Sequence, residues 1–166
     1  MIELGHFDFP FFVNVLVRLA LALALTLPVA LERERHAMSA GLRTFPIVAV
    51  GACALIILAR IVLGPKSDQQ THVLQGLVTG VGFIGGGAIV KANDRVHGTA
   101  TAASIWATAI IGAAVGFGQT EIAIVLAFVT FAALYMVGRF EERAVLPTTP
   151  EDCPPTPGVR GEPPAR

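Results

Sequence analysis

Residues Val73–Val90 read VLQGLVTGVGFIGGGAIV, eighteen positions without a charge. Six of them are glycine: Gly76, Gly80, Gly82, Gly85, Gly86 and Gly87. In water each interior glycine costs a helix roughly 1 kcal/mol relative to alanine. In a bilayer the backbone has no water to turn to and stays bonded to itself, so the helix holds. Small residues then let neighbouring helices approach, and the GxxxG spacings Gly76/Gly80 and Gly82/Gly86 repeat that provision. The stretch is expected to be the central, protein-surrounded helix of a small membrane bundle. Gly80-Val-Gly82-Phe-Ile-Gly85 also fits the GxGxxG pattern of dinucleotide sites. That pattern has meaning only after a strand, at the opening of a helix. Here its first glycine lies deep inside an apolar run.

Composition agrees with a membrane protein. Of 166 residues, 54% are hydrophobic and 14% charged, and the mean hydropathy is +0.67. Soluble domains carry about 25% charged residues. The net charge is zero, which gives a nucleic-acid partner no electrostatic footprint. Cys53 lies in an apolar run and Cys153 in a proline-rich tail, a spacing that makes neither a disulfide framework nor a metal site. The opening MIELGHFDFPFF has no positive n-region, so the apolar run that follows is expected to be retained as a helix.

Five segments are long enough to span about 30 Å of hydrocarbon: Phe12–Leu31, Phe45–Leu63, Val73–Val90, Thr99–Gly116 and Ile122–Val137. The expected fold is therefore an all-α bundle of five transmembrane helices. Residues 1–11 form an outward N-terminus, 12–143 the membrane domain, and 144–166 a cytoplasmic tail. Orientation follows from the basic residues of the short connections. Arg33, Arg35 and Arg43 mark the first loop as cytoplasmic, Lys91 and Arg95 the third, and Arg139 and Arg143 the end of the last span. The tail holds seven of the eleven prolines and is expected to be disordered or polyproline-like.

Within the spans, Asn14 and Arg18 are one helical turn apart and share a face. Arg18 is expected to snorkel outward, as is Arg60 near the outer end of span two; the functional alternative is a pair with Asp8, Asp68 or Glu121 in a solute path. Pro28 is expected to bend the inner end of span one. In span four Thr101, Ser104 and Thr108 fall on one face, and Gly112 and Gly116 form another GxxxG. Those hydroxyls are expected to bond to their own or neighbouring helices, with a polar ion path as the alternative. Trp106, near mid-span, is expected to pack. Span five, with Phe128, Phe131 and Tyr135, is expected to face lipid.

Four blocks in matching order resemble the MgtC/SapB family of bacterial inner-membrane proteins. They are Arg18-Leu19 with Leu31-Glu32-Arg33-Glu34; Ala40-Gly41-Leu42-Arg43-Thr44; Gly80-Val-Gly-Phe-Ile-Gly-Gly-Gly87, similar to the family's GIGFLGAG; and Gly98-Thr-Ala-Thr-Ala-Ala-Ser-Ile-Trp106 with Ile111-Gly112 and Gly116. The resemblance implies a five-span fold and a link to magnesium homeostasis, to survival when magnesium is scarce, and to virulence in some pathogens. It implies either magnesium transport or regulation of other membrane proteins, the proton-translocating ATP synthase among them. Where many members carry Asp-x-x-Arg before the glycine-rich helix, this chain has Asp68 and His72. Ala100 and Ala107 stand where some members have Asn and Cys. Longer members add a folded cytoplasmic domain that the proline-rich tail is not expected to supply.

Two functions follow as expectations. The first is a non-enzymatic regulator acting by helix–helix contacts, with itself as a homo-oligomer or with a membrane-protein partner. The second is a magnesium or small-ion transporter, for which Asp68, Glu121, Glu32, Asp94 and the hydroxyl stripe would supply oxygens. No carboxylate lies well inside a span, and no nucleophile-plus-base arrangement is visible, so neither a cofactor nor a catalytic residue is expected. The polar residues singled out are Arg18, Glu32, Arg43, Thr44, Asp68, Thr101 and Ser104. The packing residues are the six glycines of Val73–Val90 with Gly112 and Gly116.

Overall fold

The computed structural model describes residues 8–36, 41–64, 68–92 and 95–144. Five helices follow one another: α1 Phe9–His36, α2 Thr44–Leu63, α3 Gln69–Gly87, α4 Thr99–Phe117 and α5 Thr120–Ala144. Residues 1–7 of the expected outward N-terminus and all but Ala144 of the proline-rich tail lie outside the described residues, as do Ala40 and Asp94. Among the described residues four helices, α1, α2, α4 and α5, are long and apolar enough to cross a membrane.

The helices alternate in direction. Arg18 of α1 meets Gly116 near the end of α4, and Arg33 near the end of α1 meets Thr101 near the start of α4. The two helices are thus antiparallel. On α2, Ala49 lies against Gly112 and Cys53 against Gly116, so α2 and α4 run parallel. Gly85, near the end of α3, abuts Ala102, near the start of α4. The α3 helix therefore travels the length of the bundle from the Arg60 end to the Thr101 end.

The central helix is α4, which corrects the expectation that the glycine-rich stretch would be. Eleven of its residues are buried, from Thr101 to Gly116, whereas α3 buries only Val81 and Gly85. The physical reason is the distribution of small residues. On α4, alanine, glycine, serine and threonine occur on every side, so α1, α2, α3 and α5 can all pack against it. On α3, Gly76, Gly80 and Gly87 share a face with Phe83 at i, i+4, i+7 and i+11. Val81 and Gly85 lie on the opposite side.

Two clusters form the core. Ala22, Cys53, Ile111, Val115 and Ala123 gather α1, α2, α4 and α5 toward the Arg60 end. Ala30, Phe45, Ala52, Val81, Ile105 and Ala109 join α1, α2, α3 and α4 toward the other. Side chains here are mostly alanine-sized, so the α2–α4 axes come close. A Cβ added at Gly112 would stand 2.7 Å from the Ala49 carbonyl carbon, and one at Gly116 would stand 2.8 Å from the Cys53 carbonyl oxygen.

The glycine-rich span is also displaced. Its helix begins at Gln69 and ends at Gly87 rather than covering Val73–Val90. The apolar Val90 opens a short antiparallel hairpin instead, pairing Val90–Ala92 with Arg95–His97. With Ala88–Val90 exchanged for Gln69, Gln70 and His72, α3 is not among the four helices apolar enough over a spanning length. The hairpin was not anticipated from the sequence: its strands are three residues each, and Asn93-Asp94 lacks the glycine of the strong two-residue hairpin signals. The hairpin leads into Gly98, whose φ of +89° is left-handed.

Trp106 is 47% exposed and does not pack in the core, contrary to expectation. The outward character of α5 agrees with the sequence: Phe128 is 70% exposed. Phe131 stacks on Tyr135 at 6.0 Å, with the Arg139 guanidinium 5.9 Å from the Tyr135 ring centre.

Candidate functional site

Polar groups collect at the two ends of α4. At its C-terminal end Gly118 adopts a left-handed φ of +84°. The Gly118 N–H bonds Val115 O and the Gln119 N–H bonds Ala114 O, the paired closure of a Schellman cap. That leaves the carbonyls of Gly116 and Phe117. Arg18 donates to Gly116 O at 3.2 Å, while Arg60 donates to Gly116 O at 3.4 Å and to Phe117 O at 2.6 Å. Cations are favoured at this negative end of the helix dipole.

The two guanidiniums share one acceptor and so stand side by side. They open onto a cavity of about 280 Å³ walled by Phe11, Val15, Ile57 and Ile61, with Asn14 also in its lining. Among the described residues neither guanidinium is paired with a carboxylate. Arg18 is therefore not joined to Asp8, Asp68 or Glu121. On its own helix Arg60 reads as a separate snorkelling residue, and sequence reasoning misses its partnership with Arg18. The signal was present: Arg18 lies eighteen residues before the end of α1 and Arg60 sixteen after the start of α2. An antiparallel pair brings such positions level.

At the opposite end, Arg33 donates from Nη2 to the buried Thr101 hydroxyl at 2.8 Å. Its Nε is buried with no hydrogen-bond partner among the described residues. Glu32 is only 6% exposed. Glu34, not singled out from the sequence, accepts the Leu42 N–H at 3.1 Å and holds the turn before α2 against the end of α1. A side chain at Gly41 would collide with that carboxylate, since its Cβ would also stand 3.2 Å from the Glu34 backbone. The Gly41 carbonyl accepts the N–H groups of Thr44 and Phe45 at 3.2 and 3.3 Å. The second sequence block thus closes the α1–α2 connection.

The remaining candidates do not converge. Arg43 is exposed at the start of α2 and makes no side-chain cap. Thr44 is the first residue of α2 and half-buried. Asp68 is exposed before α3, and its backbone carbonyl, not its carboxylate, accepts the Thr71 N–H. In the hydroxyl stripe Ser104 bonds back to Ala100 O at 2.7 Å and Thr108 to Ile105 O at 2.9 Å. These donors serve their own helix. Among the described residues no group of three or more His, Cys, Asp or Glu could hold a metal ion.

The glycines separate into two sets. A Cβ at Gly85, Gly112 or Gly116 would press on a neighbouring helix, whereas one at Gly76, Gly80, Gly82, Gly86 or Gly87 would meet nothing within 4 Å. Beside the open set, Phe83 is 84% exposed.

Apolar helices of spanning length, packed through alanine and glycine, define a multi-pass helical membrane protein. The chain belongs to the MgtC family, which it matches over residues 19–143. It is 33% identical over 128 residues to SrpB of Synechococcus elongatus, an alignment covering 70% of each chain. It is 33% identical over 125 residues to the protein named "Putative magnesium transporter YhiD" of Escherichia coli, covering 72% of this chain and 58% of YhiD. It is 33% identical over 135 residues to MgtC of Salmonella typhimurium, covering 81% of this chain and 55% of MgtC. The chain thus spans little more than half the length of YhiD and MgtC. No solved structure matches it.

Proposed function

We propose that this chain is a non-enzymatic protein of the bacterial inner membrane, linked to magnesium homeostasis, that acts through helix–helix contacts with copies of itself or with other membrane proteins. All five helices are taken as spans, with the N-terminus outside and the C-terminus in the cytoplasm. The alternating helix directions and the basic residues around the first and third connections support that topology. The observation that carries the functional reading is the free face of α3: Gly76, Gly80 and Gly87 in open space beside an exposed Phe83. In a bilayer such a face admits the backbone of another helix, with the phenylalanine as a knob beside it.

The test is co-purification from native membranes of a differently tagged copy and of endogenous membrane proteins. Gly80→Leu fills the open face without touching the chain's own packing. Loss of association at unchanged thermal stability is the expected result; undiminished association would sink the reading.

The second reading, a magnesium or small-ion transporter, draws on the name carried by YhiD. Commitment of Ser104 and Thr108 to their own helix carbonyls argues against a polar lining along α4. Magnesium flux into proteoliposomes with an entrapped indicator decides it. Saturable uptake lost in Asp68→Ala or Glu32→Ala would establish transport and displace the regulator.

A further inference from the structure

The Arg18–Arg60 cavity has more donors than the fold uses. Each guanidinium carries five N–H groups, yet among the described residues Arg18 donates to one carbonyl and Arg60 to two, all through Nη1 atoms. Both side chains are half-buried. The negative end of α4 supplies only about half a unit charge against two full positive charges. Four apolar side chains line the open pocket, and low-dielectric surroundings strengthen whatever electrostatic attraction a ligand brings. Capping of α4 alone would be served by one arginine. A second arginine on the same carbonyl, turned to the same cavity, is repulsive unless an anion joins them.

We infer that this cavity is a binding site for a phosphate-type oxyanion, held between the Arg18 and Arg60 guanidiniums with the Asn14 amide as a further donor. Planar guanidinium forks match the oxygen geometry of a phosphate group. A volume of about 280 Å³ takes a phosphate with room to spare. The apolar walls suit a group attached to hydrocarbon, so the same chemistry is met by a free phosphate or by the headgroup of an anionic phospholipid.

The full chain, purified in neutral detergent and in nanodiscs of zwitterionic lipid, is titrated separately with inorganic phosphate and with phosphatidylglycerol. Native mass spectrometry counts bound molecules and thermal melting reports stabilisation. A saturable single site is expected, at least about tenfold weaker in Arg18→Gln or Arg60→Gln, the loss due when a charge-assisted contact is removed. Arg139→Gln, on α5, should bind as the parent chain does. Binding of phosphate itself identifies a soluble ligand, and binding of phosphatidylglycerol alone identifies a headgroup. Wild-type protein that binds neither overturns the inference, as does a folded Arg18→Gln/Arg60→Gln chain that binds both equally well. Should the glutamine variants not fold, Arg18→Lys and Arg60→Lys keep the charge and remove the fork. They must then bind more weakly than wild type, and equal binding again overturns the site. A purely structural role would lower the melting temperature of the variants but give no ligand-dependent rise in wild type.

Discussion

Gly112 of α4 lies so near Ala49 of α2 that a Cβ on the glycine would stand 2.8 Å from the Ala49 Cα. Both partners are backbone, which cannot swing aside as the end of a long side chain can. Four residues on, Gly116 repeats the relationship with Cys53 and Ile56. Gly112→Ala therefore forces α2 and α4 apart and should destabilise the bundle by about 1–3 kcal/mol, the usual range for overpacking a tight core. Gly76→Ala, in open space, should instead leave stability unchanged or raise it by up to about 1 kcal/mol, because alanine is the better helix former. Thermal melts of both variants in one detergent give the comparison. Equal melting temperatures would mean that the α2–α4 contact is looser than described.

Gly98 presents a different constraint at the junction of the hairpin and α4. Its left-handed φ alone costs a side-chain-bearing residue about 1–2 kcal/mol. A Cβ would also stand 3.0 Å from the Ala88 carbonyl carbon, backbone leaving α3. Gly98→Ala should thus be more damaging than the conformational term by itself, and its effect should concentrate at the start of α4. Hydrogen exchange of the Thr99–Ala103 amides locates it: faster exchange there, with the C-terminal half of α4 little changed, is the expected pattern.

Much of this architecture was legible in the sequence. The ends of α2 and α4 fall within one residue of the expected segments, because Gly64 and Gly118 stop the helices where the apolar runs stop. Gly112 and Gly116, four residues apart on α4, both lie against the α2 backbone. The identity of the central helix was not legible. Glycine spacing states that a helix can be approached, but not whether its own chain supplies the approaching partner. On α3 Gly76, Gly80 and Gly87 lie opposite the buried Val81/Gly85 face, and that division depends on where α4 lies. The Arg18–Arg60 cluster was hidden for a related reason: each arginine, taken alone on its own helix, has snorkelling as a sufficient account. Only the antiparallel pairing of α1 and α2 beneath the α4 terminus joins them.

Trp106, the one tryptophan of the chain, makes the outward face of α4 measurable. It is 47% exposed in the single chain, so its indole should meet lipid. In vesicles containing brominated acyl chains its fluorescence should be quenched strongly. Weak quenching at a protein density favouring association, restored on dilution into excess lipid, would show instead that another copy covers this face.

The Arg33–Thr101 contact yields the sharpest energetic test. The hydroxyl accepts a charged donor at 2.8 Å while Arg33 Nε already lacks a partner among the described residues. Thr101→Val keeps the shape of the buried side chain and removes the acceptor. The loss should be about 1–3 kcal/mol, set mainly by the desolvated guanidinium left behind. Arg33→Met removes the charge and keeps the apolar stem that packs along the helix. In Arg33→Met/Thr101→Val nothing buried is left unsatisfied, so the double variant should be more stable than the sum of the single effects requires. A positive coupling in the thermodynamic cycle confirms that Thr101 is fixed on α4 as the acceptor for Arg33. Simple additivity would mean that the guanidinium finds water when Thr101 is lost, and that this end of the bundle is open.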